Sequence, residues 1–186
     1  STRKESSAAS DVYKRQEKYD GETLTFDGYL HPKVEAELVF NLKDDIKGED
    51  ITIDEVMERT ESVIPALEII DSRYKNFKFT LPDVIADNTS AKGVVYGREK
   101  FRPAEYDLEN VSVSIHSNGE EKIKGNSSAV VGHPAESVAT LAKMLYERNG
   151  SGLKKGDVIF TGGMTEAIHL NKGDEVVTKF CLLYTS

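Results

Sequence analysis

The sequence predicts an α+β fold in which mixed or antiparallel sheets dominate and two main helices pack against them. Three observations support this prediction. Short segments with alternating or continuous apolar residues, typical of strands, occur along most of the chain. Only two segments carry apolar residues at helical spacing. Strands and helices do not alternate regularly, which argues against a doubly wound parallel sheet.

The first clear strand is KVEAELVF, residues 33–40, and a helix follows it. Side-chain alternation places Glu35 and Glu37 on one face of the strand, and on the other face Val34, Ala36, Leu38 and Phe40. In TIDEVMERTESV, Thr52 and Glu55 form a capping-box start. Apolar or small residues then recur at helical spacing: Val56, Met57, Thr60, Val63 and Ile64. We expect Pro65 to end this helix and PALEIIDS to continue as a buried strand.

The second half of the native chain contains a strand, a hairpin, a helix and two more strands. AKGVVYG is predicted as a strand, and VSVSIHSNGEEKIKG as a hairpin that turns at Asn118-Gly119. The second helix should run from about Pro134 to Asn149, because proline favours a helix start and Gly150 follows the end. DVIFTGG and DEVVTKF are predicted as the closing strands, each entered from a Lys-Gly-Asp turn.

Both ends of the chain look foreign to the protein. DVYKRQ, residues 11–16, and CLLYTS, residues 181–186, can be translated from opposite strands of one DNA element. That element resembles the transposon end used to fragment DNA for sequencing libraries. We therefore expect residues 1–16 and 181–186 to be non-native tails, and residues 17–180 to form one catalytic domain truncated at both ends.

Composition excludes several classes of function. The chain has 24 basic and 32 acidic residues, a formal charge of −8. Without the two tails the count is 20 against 30, or −10. So acidic a chain is not expected to bind nucleic acid or an anionic membrane. No apolar run approaches a membrane span and no secretory signal is visible, so we expect a cytoplasmic protein. The single cysteine, Cys181, lies in a predicted tail, which leaves no disulfide chemistry.

Three glutamates form the strongest candidate for a site. Glu68 lies among aliphatic residues in PALEIIDS, where a buried carboxylate needs a cation, hydrogen-bond donors or a proton. Glu35 and Glu37, roughly 7 Å apart along their strand, could converge with it. Three carboxylates with open positions between them suit Mg²⁺ or Mn²⁺.

Ordinary structural roles for these acids stay open at this point. Glu35 and Glu37 could be the solvent face of a half-exposed strand, since Glu is usually exposed. Glu68 could pair with Arg73 or a lysine, or turn outward at a strand end. The histidines offer a weaker alternative: His31 and His133 precede prolines and suit loop or helix-cap positions, while His116 and His169 stand singly in strand-like segments. Gly162-Gly163 lacks the lysine and serine of a phosphate loop.

Four segments in this order, HPKVEAELVF, PALEIIDSRYKNFKFTLPDVIADNTS, GHPAESVATLAKML and DVIFTGGMTEAIHLNKGDEV, resemble the fumarylacetoacetate hydrolase superfamily. More narrowly, they resemble its 2-oxo-acid lyases, the 2-oxo-3-hexenedioate (4-oxalocrotonate) decarboxylases and 2-keto-4-pentenoate hydratases. The resemblance implies a β-roll-like C-terminal domain and assigns a divalent metal, Mg²⁺ or Mn²⁺, to Glu35, Glu37 and Glu68. It also implies substrate contacts at Asn88, Ser90, Gly162 and Gly163. A catalytic lysine of the family lies in a region that this sequence does not contain, so the fragment itself is expected to be inactive.

The stretches DSRYKNFKF and TGGMTEA favour the decarboxylase over the hydratase. The implied reaction removes the C6 carboxylate of 2-oxo-3-hexenedioate and yields 2-hydroxypenta-2,4-dienoate. Lys75 and Lys78 are candidates for holding that second carboxylate. Two other functions stay open: an acylpyruvate C–C hydrolase, and a metal-binding or interaction domain without catalysis. The resemblance further implies homo-oligomers and a complex of decarboxylase with hydratase in catechol meta-cleavage.

Overall fold

The computed structural model describes residues 17–71 and 91–182. Within these ranges the strands are β1 Glu17–Tyr19, β2 Lys33–Leu42, β3 Thr60–Ile70, β4 Ala91–Tyr96, β5 Ser112–Ser117, β6 Glu120–Asn126, β7 Val158–Phe160, β8 Ile168–His169 and β9 Val176–Cys181. The α-helices are α1 Ile53–Arg59 and α2 Pro134–Asn149, and short 3-10 turns occupy Pro103–Glu105 and Ser127–Ala129.

The strands form two sheets. The larger has the order β1-β4-β3-β2-β7, and β8 also pairs with β2. Only β1 and β4 run parallel, and the other pairs in this sheet are antiparallel. The smaller sheet, β6-β5-β9, is antiparallel throughout. The predicted α+β class with mixed and antiparallel sheets is confirmed.

The first helix is shorter than the sequence suggested. Thr52 does cap α1 by accepting a hydrogen bond from the Glu55 amide, but the helix ends at Arg59. Residues 60–64, predicted as helix, belong to β3, and Pro65, predicted to end the helix, lies inside that strand. The helical prediction was wrong here because pairing with all of β2 outweighs the local spacing, and a residue before proline prefers extended backbone. The Pro65 carbonyl still accepts from the Gly97 amide at 2.8 Å.

Both faces of β2 are covered. One face contributes Ala36, Leu38 and Phe40 to the main core, in which α2 also packs. The other contributes Val39 to a second apolar cluster, whose remaining buried members are Ile64, Ala66, Val94 and Tyr96. The carboxylates of β2 therefore lie on the face that carries this second cluster, and not on a solvated face.

The hairpin and the second helix are confirmed. Asn118 and Gly119 both have positive φ, 54° and 81°, as a two-residue type I′ turn requires. Helix α2 begins at Pro134 and ends before Gly150, which adopts the left-handed conformation at φ 69°. The strand predictions at KVEAELVF, AKGVVYG, DVIFTGG and DEVVTKF correspond to β2, β4, β7 and β9.

Two further predictions concern the ends of the chain and membranes. Residues 1–16 lie outside the described ranges. Cys181 has an exposed side chain, and its backbone pairs with that of Ser112 at the end of β9. The foreign origin of the tails stays a prediction. In the part of the chain that the structure describes, no helix combines the length and apolar composition that crossing a bilayer requires.

Candidate metal centre

The register between β2 and β3 brings the three predicted glutamates together. Glu35 lies directly opposite Glu68, and Glu37 lies opposite Ala66, one step along the same face. Each of the three carboxylates offers an oxygen, and these oxygens all lie within 4.8 Å of one another. Among the described residues, this is the group of acids, histidines or cysteines with the geometry to hold a metal ion.

The environment of the three glutamates raises the pKa of two of them. Glu37 is 2 % exposed, and its burial, followed by the charge of nearby Glu68, holds the pKa of its carboxyl well above the ordinary value. Glu35 is half-buried, and burial together with the charge of Glu68 raises its pKa to about 7. Crowded acids of this kind gain from a shared cation, which removes both the repulsion and the need for protons.

The donor set fits a hard divalent cation. Carboxylate oxygens are the ligands that Mg²⁺, Mn²⁺ and Ca²⁺ prefer. Two oxygens bound to one ion lie at most about 4.2 Å apart for Mg²⁺ and about 5 Å apart for Ca²⁺, from bond lengths of ~2.1 and ~2.5 Å. The glutamate oxygens lie within 4.8 Å of one another, which is inside the limit for Ca²⁺, and for Mg²⁺ the widest pair would have to close by at most about 0.6 Å.

The Gly162-Gly163 turn lies directly against the glutamates. The Gly162 amide donates a hydrogen bond to Glu37 Oε2 at 3.0 Å, and its φ of +113° is strained for any residue with a Cβ. A Cβ placed on Gly163 would lie 2.5 Å from Glu35 Oε2. The substrate contacts predicted at these two glycines stay a prediction, and within the protein the glycines contact Glu37 and Glu35.

Neighbouring residues attach this turn to β2. The Thr161 hydroxyl donates to the Leu38 carbonyl at 2.8 Å, and the Met164 amide donates to the Ala36 carbonyl at 2.8 Å. Residues 161–164 therefore run alongside β2 beyond its pairing with β7, where the Gly162 amide bonds the Glu37 side chain and not the backbone.

Several predicted residues lie outside the described ranges. They are Asn88 and Ser90, predicted as substrate contacts, Arg73, a possible partner of Glu68, and Lys75 and Lys78, candidates for holding the second carboxylate of the substrate. Of the histidines, His133 is a helix cap as predicted: its Nδ1 accepts a hydrogen bond from the Ala135 amide at 3.0 Å. His116 contacts Ser114, and His169 lies in β8.

Sequence reasoning missed the role of Asp71. This carboxylate is 6 % exposed at the end of β3, and it accepts hydrogen bonds from the Leu30 and His31 amides, both at 2.9 Å. It fixes the segment that enters β2 just before the glutamates. The available signal was an acid directly after a buried strand, in EIIDS.

This fold and this acid cluster together define the class of protein. The chain belongs to the fumarylacetoacetate (FAA) hydrolase C-terminal family, which it matches over residues 17–183.

Within the family, the chain is similar to two kinds of lyase. It is 41% identical over 161 residues to a 4-oxalocrotonate decarboxylase of Pseudomonas sp. (strain CF600), covering 87% of this chain and 61% of that relative. It is 38% identical over 147 residues to a 2-hydroxyhexa-2,4-dienoate hydratase of Comamonas testosteroni, covering 79% of this chain and 55% of the relative. The chain thus spans less than two thirds of these relatives.

The chain is also similar to a solved structure of a decarboxylase. The chain superposes with a TM-score of 0.86 and 36% identity on the 4-oxalocrotonate decarboxylase from Pseudomonas putida G7 complexed with magnesium and adipate. The superposition covers 90% of this chain and 63% of that one.

Proposed function

We propose that the complete protein is a divalent-metal-dependent lyase that decarboxylates 2-oxo-3-hexenedioate to 2-hydroxypenta-2,4-dienoate. The observation that carries the proposal is the convergence of Glu35, Glu37 and Glu68 within 4.8 Å on one face of the large sheet. Similarity to 4-oxalocrotonate decarboxylases at 41% and 38% identity supports the choice of substrate. A similar decarboxylase structure contains magnesium and adipate, a six-carbon dicarboxylate.

The proposed ligands of the cation are Glu35, Glu37 and Glu68, and we propose Mg²⁺ or Mn²⁺ as the ion. A cation held there would supply Lewis-acid stabilisation of the negative charge that develops on the substrate's C2 oxygen when the C6 carboxylate leaves as CO₂. The three glutamates would hold the ion and would leave room for further oxygen ligands, such as those of a 2-oxo acid.

The protein's own groups hold these ligands in place. The Gly162 amide stabilises the ionised form of Glu37 through its hydrogen bond and so offsets part of the cost of burying that charge. Gly163 leaves the space that the Glu35 carboxylate occupies. The second apolar cluster, which includes Val39 and Ala66, lies beside Glu37 on the same face and keeps that side of the site dry.

Substrate contacts from Asn88, Ser90, Gly162 and Gly163 belong to the same proposal. For the two glycines, the support is their position against Glu37 and Glu35, which places their backbone next to any ligand of the proposed ion. We also propose a cytoplasmic homo-oligomer that partners a hydratase, which size-exclusion chromatography with and without the hydratase would test.

A 2-keto-4-pentenoate type hydratase is the second candidate. The observation in its favour is 38% identity to the Comamonas testosteroni hydratase, close to the value for the decarboxylases. The same metal and the same 2-oxo acid chelation serve both reactions, so the glutamates do not separate them.

The test is a product assay on the complete gene product that contains this chain. With Mg²⁺ and 2-oxo-3-hexenedioate we expect CO₂ release, and we expect Glu68→Gln to abolish it because the third anionic ligand is lost. Full activity of Glu68→Gln would contradict the ligand assignment. A hydrated acid without CO₂ would identify the hydratase, and two acids would identify a C–C hydrolase.

A further inference from the structure

On β2, the strand that carries Glu35 and Glu37, a basic residue shares the face of these glutamates. Lys33 is the first residue of β2, two positions before Glu35, so side-chain alternation puts it on the same face as Glu35 and Glu37. It lies opposite Ile70 of β3 on one side and His169 of β8 on the other. Strands β2 and β3 contain no other lysine or arginine.

The excess negative charge at the proposed metal centre favours a positively charged side chain such as Lys33 nearby. Three ionised glutamates around a divalent ion leave one negative charge in excess. A substrate with two carboxylates adds two more charges in a partly buried site, where unscreened repulsion is costly. A lysine on the same face offsets part of this repulsion and offers three N–H donors.

The spacing suits a substrate of the proposed length. Lys33 and Glu35 are separated by one two-residue step of the strand, ~7 Å. In a six-carbon 2-oxo diacid, four C–C bonds of about 1.5 Å separate C2 from C6, so these two carbons lie roughly 5 Å apart when the chain is extended. With C1 and C2 at the glutamates, the C6 carboxylate would therefore lie within reach of the Lys33 side chain.

We propose that Lys33 is a specificity-determining residue that binds the distal carboxylate of a dicarboxylic 2-oxo acid, the role for which the sequence suggested Lys75 and Lys78. This inference rests on the proposed function and deepens it, because it selects a diacid over a monoacid. The next basic residue along this sheet, Lys92 of β4, lies over the ring of Tyr29 at 5.9 Å.

The experiment measures ligand binding by calorimetry on the complete gene product with saturating Mg²⁺. The two probes are 2-oxoadipate and 2-oxohexanoate, which differ only in the C6 carboxylate. We expect the wild type to prefer 2-oxoadipate. Lys33→Met should weaken 2-oxoadipate binding by about ten- to hundredfold, as for loss of a charged hydrogen bond, and change 2-oxohexanoate binding by less than about twofold.

The controls separate charge from structure. Lys33→Arg should recover most of the affinity for 2-oxoadipate, and Lys179→Met, the same change on the smaller sheet, should have no effect. Titration of Mg²⁺ alone into each variant checks that the metal centre is intact. An equal affinity of the wild type for the two probes, or an equal loss for both in Lys33→Met, would overturn the inference while leaving the proposed function in place. If neither probe binds the wild type, both proposals fail.

Discussion

The absence of a side chain at Gly163 determines where the Glu35 carboxylate can lie in the acid cluster. The hydrogen in place of a side chain leaves room for the Glu35 carboxylate, because a Cβ would approach Glu35 Oε2 to 2.5 Å. The family resemblance implied a substrate contact at Gly163. The structure shows that the group approached is one of the protein's own acids.

We expect Gly163→Ala to lower Mg²⁺ affinity about tenfold or more, because the Glu35 carboxylate must rotate away from Glu37 and Glu68. Isothermal titration with Mg²⁺ measures this. Gly119→Ala is the control: it places a Cβ at φ +81° in the hairpin turn, far from the acids, and should cost about 1 kcal/mol of stability without changing Mg²⁺ affinity. Unchanged Mg²⁺ binding in Gly163→Ala would contradict a role for this contact.

At the scale of an element, α2 depends on a titratable cap. The Nδ1 atom of His133 accepts a hydrogen bond from the Ala135 amide, and only the neutral ring can do so. Burial lowers the pKa of His133 below its ordinary value, and the charges of Glu109, Asp107 and Glu136 oppose this shift in part. Because the folded pKa is the lower one, the cap stabilises the protein above about pH 6.5, the ordinary histidine pKa. This stabilisation is lost as the pH falls through the folded value.

We therefore expect His133→Ala to lower the free energy of unfolding by about 1 kcal/mol at pH 8 and by less at pH 5. His133→Asn retains a side-chain acceptor that does not titrate, so it should keep the cap at both pH values. Urea unfolding at the two pH values measures the differences. The same loss for His133→Ala at pH 8 and pH 5 would show that the neutral ring is not what stabilises the helix.

The elements also show the limit of local patterns. Asn118-Gly119, Pro134 and Gly150 each have a backbone preference strong enough to fix a turn or a helix end, and these predictions were correct. The segment that begins at Thr60 carries β-branched residues at helical spacing, and local rules alone extended the helix to Pro65. Its pairing with β2, 18 to 27 residues earlier in the chain, determines that it is a strand.

At the scale of the whole molecule, the proposed cation joins two central strands of the large sheet. Binding to the folded state alone stabilises a protein, by about 2.7 kcal/mol at a free concentration one hundred times Kd. For a chain of this length, we expect Mg²⁺ to raise Tm by about 5–10 °C under those conditions and EDTA to reverse the change. Differential scanning fluorimetry measures the shift.

Glu68→Gln is the matched variant for this measurement, since it keeps the size of the side chain and removes one anionic ligand. It should lose most of the Mg²⁺-induced rise in Tm. Na⁺ at equal ionic strength should produce no comparable rise in the wild type, because screening alone does not fill the site. A Mg²⁺ effect of the same size in Glu68→Gln would place the ion elsewhere.

Local sequence was enough to predict the alternation in KVEAELVF, the hairpin turn, the limits of α2 and the three acids that suit a hard cation. These features depend on neighbours a few residues apart, where backbone preference and side-chain alternation act directly. Only the tertiary structure decided that Glu35 lies opposite Glu68, that Gly162 and Gly163 contact the acids, and that Asp71 holds the entry to β2. Each of these contacts joins residues about 30 to 130 positions apart, so its geometry depends on strand register, which local sequence does not encode.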